Sequence, residues 1–207
     1  MIHFICALKC EASPIIRQYG LRKLHRARLF NIYVNESQNI SMTITGIGKI
    51  AAAAATTYSF TMLECGRNEV WLNLGVAGHR SYAIGGIYLA SRIEDAGSTR
   101  AWYPKLSIET PVPVASLLSL DQPSTDYSDC MFDMEAAGFI SSACRFACAE
   151  LTHSIKIIAD NQCAPATKLS ANMVTQLIDA VKEQIVMLAS QLQTLARDIT
   201  VTNQKQQ

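Results

Sequence analysis

The stretch IHFICALKCEASPIIRQYG (residues 2–20) joins an almost wholly apolar run to a segment with helical punctuation. An apolar run of this length suits a strand buried on both faces of a mainly parallel sheet. Pro14 then fits a first helical turn and Gly20 fits the stop. A strand that feeds directly into a helix is the repeating unit of an α/β sheet, and the rest of the chain repeats it. RARLFNIYVNES and NISMTITG (residues 26–37 and 39–46) predict two strands around a polar turn at 35–39. GIGKIAAAAATTYSFTMLECG (46–66) predicts a helix that opens after glycines and closes at Gly66. EVWLNLGVAG (69–78) predicts a buried strand running into a tight glycine turn, and GGIYLASRIED (85–95) a further strand. DMEAAGFISSACRFACAEL (133–151) reads as an apolar helix and SIKIIAD (154–160) as a last buried strand. From Lys168 to Ala196 the sequence predicts one long amphipathic helix, with Leu169, Met173, Leu177, Val181, Ile185, Leu188 and Leu192 on its apolar stripe. The proline-bearing segment 108–130 reads mostly as loop, and the polar tail from about residue 198 is expected to fray.

This alternation predicts a three-layer α/β/α sandwich around a central mixed, largely parallel sheet, in one domain spanning residues 1–207. Hydrophobic residues make up 49% and charged residues 17%, a balance that supports a buried core and argues against disorder. The formal charge is +1, so no broad field favours nucleic acid or a membrane surface as partner. The seven cysteines include no CxxC pair, and Cys144 and Cys148 lack companions at zinc-finger spacing. They read as reduced, buried thiols, with no metal called for. The N-terminal run is too short and too poor in basic residues for a signal peptide, and no run approaches a membrane span. The expected location is the cytoplasm.

Ligands of open α/β sheets sit at the carboxyl ends of strands. Three acids fall there: Glu11 after the first strand, Glu135 at the start of a helix, and Asp160 at the end of the last strand. Two glycine-rich segments, TGIGK (45–49) and GVAG (75–78), fall at comparable points, where small residues admit a ligand close to the backbone. Each acid also has an ordinary structural explanation, as a helix cap, a first-turn residue favoured by the helix dipole, or a turn residue.

Taken together and in order, these blocks resemble the nucleoside phosphorylase superfamily, closest to its methylthioadenosine/S-adenosylhomocysteine nucleosidase branch. ALKCEASPI is similar to that branch's first-strand exit, TGIGKIAAAAAT to its Ser-Gly-Ile-Gly-Lys-Val segment, and NLGVAG to Asn-Thr-Gly-Ser-Ala-Gly. DMEAAGF is similar to Met-Glu-Ala-Ala, and IKIIADN to the strand ending in Ser-Asp. The resemblance covers residues 2 to about 161 with one gap, 108–130. It departs from the branch at Val76 and Ala159, where the nucleosidases carry serines.

The resemblance implies hydrolysis of the N-glycosidic bond of a purine nucleoside, 5′-modified or not. Glu11 would activate water and Asp160 would protonate the base. Glu135 would hold the ribose hydroxyls and Met134 would pack under the sugar. Ile47 would line the 5′ pocket, with Val76, Ala77 and Gly78 beside base and sugar. It calls for no cofactor and implies a homodimer. Two acids suit this reaction, because a ribosyl C–N bond breaks with positive charge on the sugar and negative charge on the base. A phosphate-dependent phosphorylase is the first alternative, with Arg17, His79 and Arg80 as candidate cations. Asn73 stands near the position where hexameric phosphorylases carry an arginine, and Glu11 would repel phosphate. A non-catalytic nucleoside-binding protein is the second alternative.

Overall fold

A computed structural model describes residues 1–166 and 169–204. Its elements are β1 (Ile2–Cys6), α1 (Lys9–Gln18), β2 (Arg22–Lys23), β3 (Asn31–Asn35), β4 (Ile40–Ile44), α2 (Lys49–Met62), β5 (Val70–Gly78), β6 (Ile87–Asp95), β7 (Ala101–Trp102), β8 (Val114–Ser119), β9 (Met131–Asp133), α3 (Ala136–Ala143), β10 (Thr152–Asp160), α4 (Ala171–Ala180) and α5 (Lys182–Gln204). The ten strands form one mixed sheet. β1 lies parallel between β4 and β5, and β10 lies parallel to β5 on its other edge. The hairpin β2–β3 extends the sheet beyond β4. On the far side β10 pairs with β6, β6 with β8, and β8 with β9. β9 then returns to β5 at Gly78, so this half of the sheet curls into a ring.

The period of two along β1 explains the layers. Phe4 and Cys6 face a core completed by Ile178, Ile185, Leu188 and Leu192 of α4 and α5. Ile5 faces the opposite core, built from Trp71, Ala52 of α2, and Ala137 and Phe139 of α3. Ile185, Leu188 and Leu192 are fully buried, each contributing about 1.5–3 kcal/mol of apolar burial. No helix among the described residues is long and apolar enough to cross a membrane.

The α/β/α arrangement matches the reading of the sequence, and several local features do not. Pro14 sits inside α1 rather than in its first turn. Its missing N–H leaves the Cys10 carbonyl free, and the Thr175 hydroxyl of α4 donates to that oxygen at 2.9 Å. Gly20 does end α1: at φ +58° it lets Leu21 N–H reach back to the Ile16 carbonyl at 2.9 Å. α2 stops at Met62, before Gly66, because Glu64 takes the left-handed position. GVAG is no turn; it is the extended end of β5. The segment 108–130 is mostly loop, as its sequence predicts, but it also carries the strand β8. α3 is much shorter than 133–151, because the chain turns after Ala143 to stack Phe146 on Phe60 at 4.1 Å.

The predicted C-terminal helix is broken at Val181 into α4 and α5. Within α4 the buried positions are Val174 and Ile178, while Met173 is exposed and Leu177 packs only partly against the core. The predicted first residue of that helix, Lys168, lies outside the described residues. α5 stays helical to Gln204, past the point where the tail was expected to fray; 205–207 lie outside the described residues.

Candidate active site

The eight residues singled out from the sequence line one cavity. Glu11, Ile47, Val76, Ala77, Gly78, Met134, Glu135 and Asp160 meet at the carboxyl ends of β1, β5, β9 and β10, around a space of about 180 Å³.

Glu11 lies on the first turn of α1 and is 3% exposed. One carboxylate oxygen accepts the Leu8 N–H at 2.8 Å, as a helix-capping acid would. The other accepts the Val76 N–H at 3.1 Å, which turns it toward β5 and the cavity. Burial pushes its carboxyl above the ordinary range; the Leu8 N–H, Lys156 and the Val76 N–H oppose this without cancelling it. Gly75 and Gly78 permit this geometry by lacking side chains. A Cβ on Gly75 would stand 3.0 Å from Glu11 Oε1. A Cβ on Gly78 would stand 2.4 Å from the Phe132 ring and 2.9 Å from Asp160 Oδ2.

Glu135 precedes α3, but the helix is capped by another acid. Asp133 Oδ2 accepts the Ala136 N–H at 2.9 Å, while Asp133 Oδ1 accepts the Ser119 hydroxyl at 2.6 Å. Glu135 is thereby freed from capping α3, and its Oε1 accepts the Gly48 N–H at 2.9 Å. Gly46 and Gly48 have φ of +84° and +105°, so TGIGK is the turn its sequence predicts. That turn carries Ile47 over the cavity, 58% exposed. Burial raises the Glu135 carboxyl; Lys156 opposes, and Asp133 and Glu11 add to the rise.

Asp160 ends β10 with its side chain in the cavity. Burial raises its carboxyl, and the Tyr127 hydroxyl, which donates to Oδ2 at 2.8 Å, partly offsets the rise. Tyr127 is itself steadied by the Ala166 N–H at 3.3 Å.

Four residues of this site were not singled out from the sequence: Lys156, Asp133, Tyr127 and Phe132. Lys156 is 1% exposed on β10 and its ammonium meets Asp133 Oδ2 at 2.8 Å. Burial works against its charge, but Asp133, Glu135 and Glu11 outweigh burial and hold it above the ordinary lysine range. One buried ammonium thus serves three carboxylates. A lysine inside the apolar run SIKIIAD was the visible signal, since a fully buried lysine requires acids around it. Lys156→Met is expected to destabilise the protein by about 3–5 kcal/mol in urea unfolding, because the acids lose their counter-charge. The deficit relative to wild type should shrink as pH falls. Glu11 and Glu135 already have folded-state pKa values above the ordinary range, so stability lost as pH rises through those values returns on protonation. A deficit independent of pH would contradict this electrostatic account.

The candidate cations lie elsewhere. Arg17 is paired with Asp179 at 3.6 Å and Arg80 with Asp129 at 3.0 Å. His79 is buried, stacked on Tyr82, and its Nδ1 accepts the N–H groups of Ser81 and Tyr82 at 3.1 Å each. Asn73 is buried and donates to the Ile5 carbonyl at 3.2 Å. Among the described residues that line the cavity there is no Arg, Lys or His. Ala159 is buried and does not line the cavity, whereas Val76 does.

No family model and no curated protein sequence matches the chain. Solved structures do match its shape. An MTA/SAH nucleosidase superposes with a TM-score of 0.70 at 17% identity, covering 91% of this chain and 95% of the other. The 5′-methylthioadenosine nucleosidase of Arabidopsis thaliana gives 0.69 at 17% identity, with 94% and 95% covered. The MTA/SAH nucleosidase of S. pneumoniae, solved with a transition-state inhibitor, gives 0.68 at 12% identity, with 92% and 99% covered. The chain has the fold of the MTA/SAH nucleosidases along nearly its whole length.

Proposed function

We propose that this protein hydrolyses the N-glycosidic bond of a purine nucleoside. The observation that carries the reading is the convergence of Glu11, Glu135 and Asp160 on one cavity in a nucleosidase fold. Glu11, its carboxyl raised above the ordinary range by burial, takes a proton from water as its oxygen bonds to the anomeric carbon. The C–N electron pair leaves with the base, which Asp160 protonates. A raised Asp160 carboxyl suits a proton donor. Glu135 accepts hydrogen bonds from the ribose hydroxyls through the oxygen that Gly48 leaves free. Phe132, packed on Gly78 next to Asp160, gives the base an aromatic wall. Ile47 supplies an apolar contact for a 5′ substituent, as methylthio and homocysteinyl groups require.

Hydrolysis is favoured over phosphorolysis by charge. The cavity presents carboxylates, and Arg17, His79 and Arg80 are engaged outside it. A phosphate there would meet like charge in a low-dielectric site. Free base and free ribose released from a panel of purine nucleosides, at equal rates with and without phosphate, are the expected products. Ribose 1-phosphate formed only with phosphate would establish the phosphorylase alternative, and binding without turnover the non-catalytic one.

Glu135 gives a separate test. Charge-assisted hydrogen bonds to sugar hydroxyls contribute about 1.5–3 kcal/mol each. Glu135→Gln is therefore expected to lower kcat/KM for ribonucleosides by roughly tenfold or more, and for 2′-deoxynucleosides by clearly less. Equal losses for the two sugars would remove Glu135 from the ribose site. The same reading takes the chain as a cytoplasmic protein working as a homodimer.

A further inference from the structure

The end of the sheet remote from the cavity holds a second group of chemistry-bearing side chains. His3 on β1, Cys65 just after α2 and Glu69 just before β5 each bring one donor atom to a common point, all within 4.8 Å of one another. His3 Nε2 lies 3.4 Å from Cys65 Sγ and 2.6 Å from Glu69 Oε2. We propose that His3, Cys65 and Glu69 form a binding site for a zinc ion, with the fourth position open to a water molecule.

The donor set is the first argument. Thiolate, imidazole and carboxylate together select a borderline cation such as zinc over magnesium or calcium, which take oxygen ligands. Geometry is the second. Bonds of about 2.0–2.3 Å in a tetrahedron place neighbouring donors about 3.3–3.6 Å apart. The His3–Cys65 separation already has this value. The His3–Glu69 separation must open by under about 1 Å, which a partly exposed glutamate at a strand start can supply.

The surroundings of His3 are the third argument, and the most specific. The ring is fully buried, stacked on Trp71 at 4.2 Å and 24°. Its other nitrogen, Nδ1, sits 2.8 Å from the buried Ser41 hydroxyl on the paired residue of β4. Metal-bound histidines commonly hold their second nitrogen this way, which fixes the ring and the tautomer. Before metal binding, Nε2–H donates to Glu69 and Ser41 donates to Nδ1. With zinc bound, the proton moves to Nδ1 and is donated to Ser41, while Nε2 offers its lone pair to the metal. Cys65 loses its thiol proton, so one proton is released per zinc. A surface groove lined by Asn39, Gly66, Glu69 and Arg197 borders the site on its Glu69 side.

The test is titration of the chelator-stripped protein with zinc against a chromophoric competitor, repeated with cobalt(II) to detect thiolate-to-metal charge transfer. One zinc per chain is expected, with a cobalt charge-transfer band. Cys65→Ser should abolish the band, and Cys65→Ser and Glu69→Gln should each weaken zinc binding at least tenfold. Cys144→Ser and Cys163→Ser, at exposed positions elsewhere, should change neither reading. His3 is left intact because its replacement would empty a core position. No stoichiometric zinc binding, or binding unaltered in both site variants, would overturn the proposal. Nucleoside hydrolysis is not used as a readout, so the outcome is independent of the reading of the cavity.

Discussion

Asp160→Asn is expected to lower kcat by roughly 10²–10⁴-fold while leaving KM nearly unchanged, the signature of a lost proton donor. The structure makes this substitution clean. Asparagine has the same shape, its amide oxygen still accepts the Tyr127 hydroxyl, and the close approach to Gly78 is preserved. The loss would therefore report on the proton alone. Wild-type activity should decline on the alkaline side as Asp160 ionises. Burial moves that decline above the ordinary aspartate range, and the Tyr127 bond limits how far. In Asp160→Asn the alkaline decline assigned to this group should vanish with most of the activity. A folded variant with unchanged kcat would refute the role of Asp160 as acid.

Glu11→Gln is expected to have an equal or larger effect, with free ribose falling by at least about 10²–10⁴-fold. The carboxylate is held by the Leu8 and Val76 N–H groups at the edge of the cavity, where the proposed reaction would place the attacking water. A neutral amide there cannot accept water's proton. The substrate contacts proposed for Glu135, Met134 and Ile47 would remain, so the variant should still bind nucleoside and be suited to trapping the complex in a crystal. If Glu11 served only to cap α1, Glu11→Gln would lower stability and leave turnover per folded molecule unchanged.

The layered fold was legible because it rests on patterns that local sequence carries: continuous apolar strands such as 2–8 and 154–160, and helices marked by Gly20 and an alanine-rich run. What escaped was set by distant partners. VASLLS in 114–119 is a strand because β6 and β9 pair with it, and its proline-bearing flanks hide that pairing. The glycines of GVAG read as a turn, since glycine most often serves there; here they are required by the crowding of Glu11, Lys156, Phe132 and Asp160 against an extended backbone. The candidate acids were visible as a set through their places after strands and through family resemblance. The structure adds that Asp133, not Glu135, accepts the first N–H of α3, and that Glu135 lines the cavity. Lys156 was signalled only by its place in an apolar run, which does not say which acids it meets, and Tyr127 was hidden by a segment without periodicity.

The central claim is that water, activated at Glu11, attacks the anomeric carbon of a nucleoside bound in this cavity. It is tested most directly by running the reaction of the wild-type protein in ¹⁸O-labelled water containing phosphate and analysing the products by mass spectrometry at low conversion. The account predicts free purine without label and ribose carrying one ¹⁸O, both lost in Glu11→Gln. Ribose 1-phosphate as the sugar product, or no base release from any purine nucleoside, would contradict it.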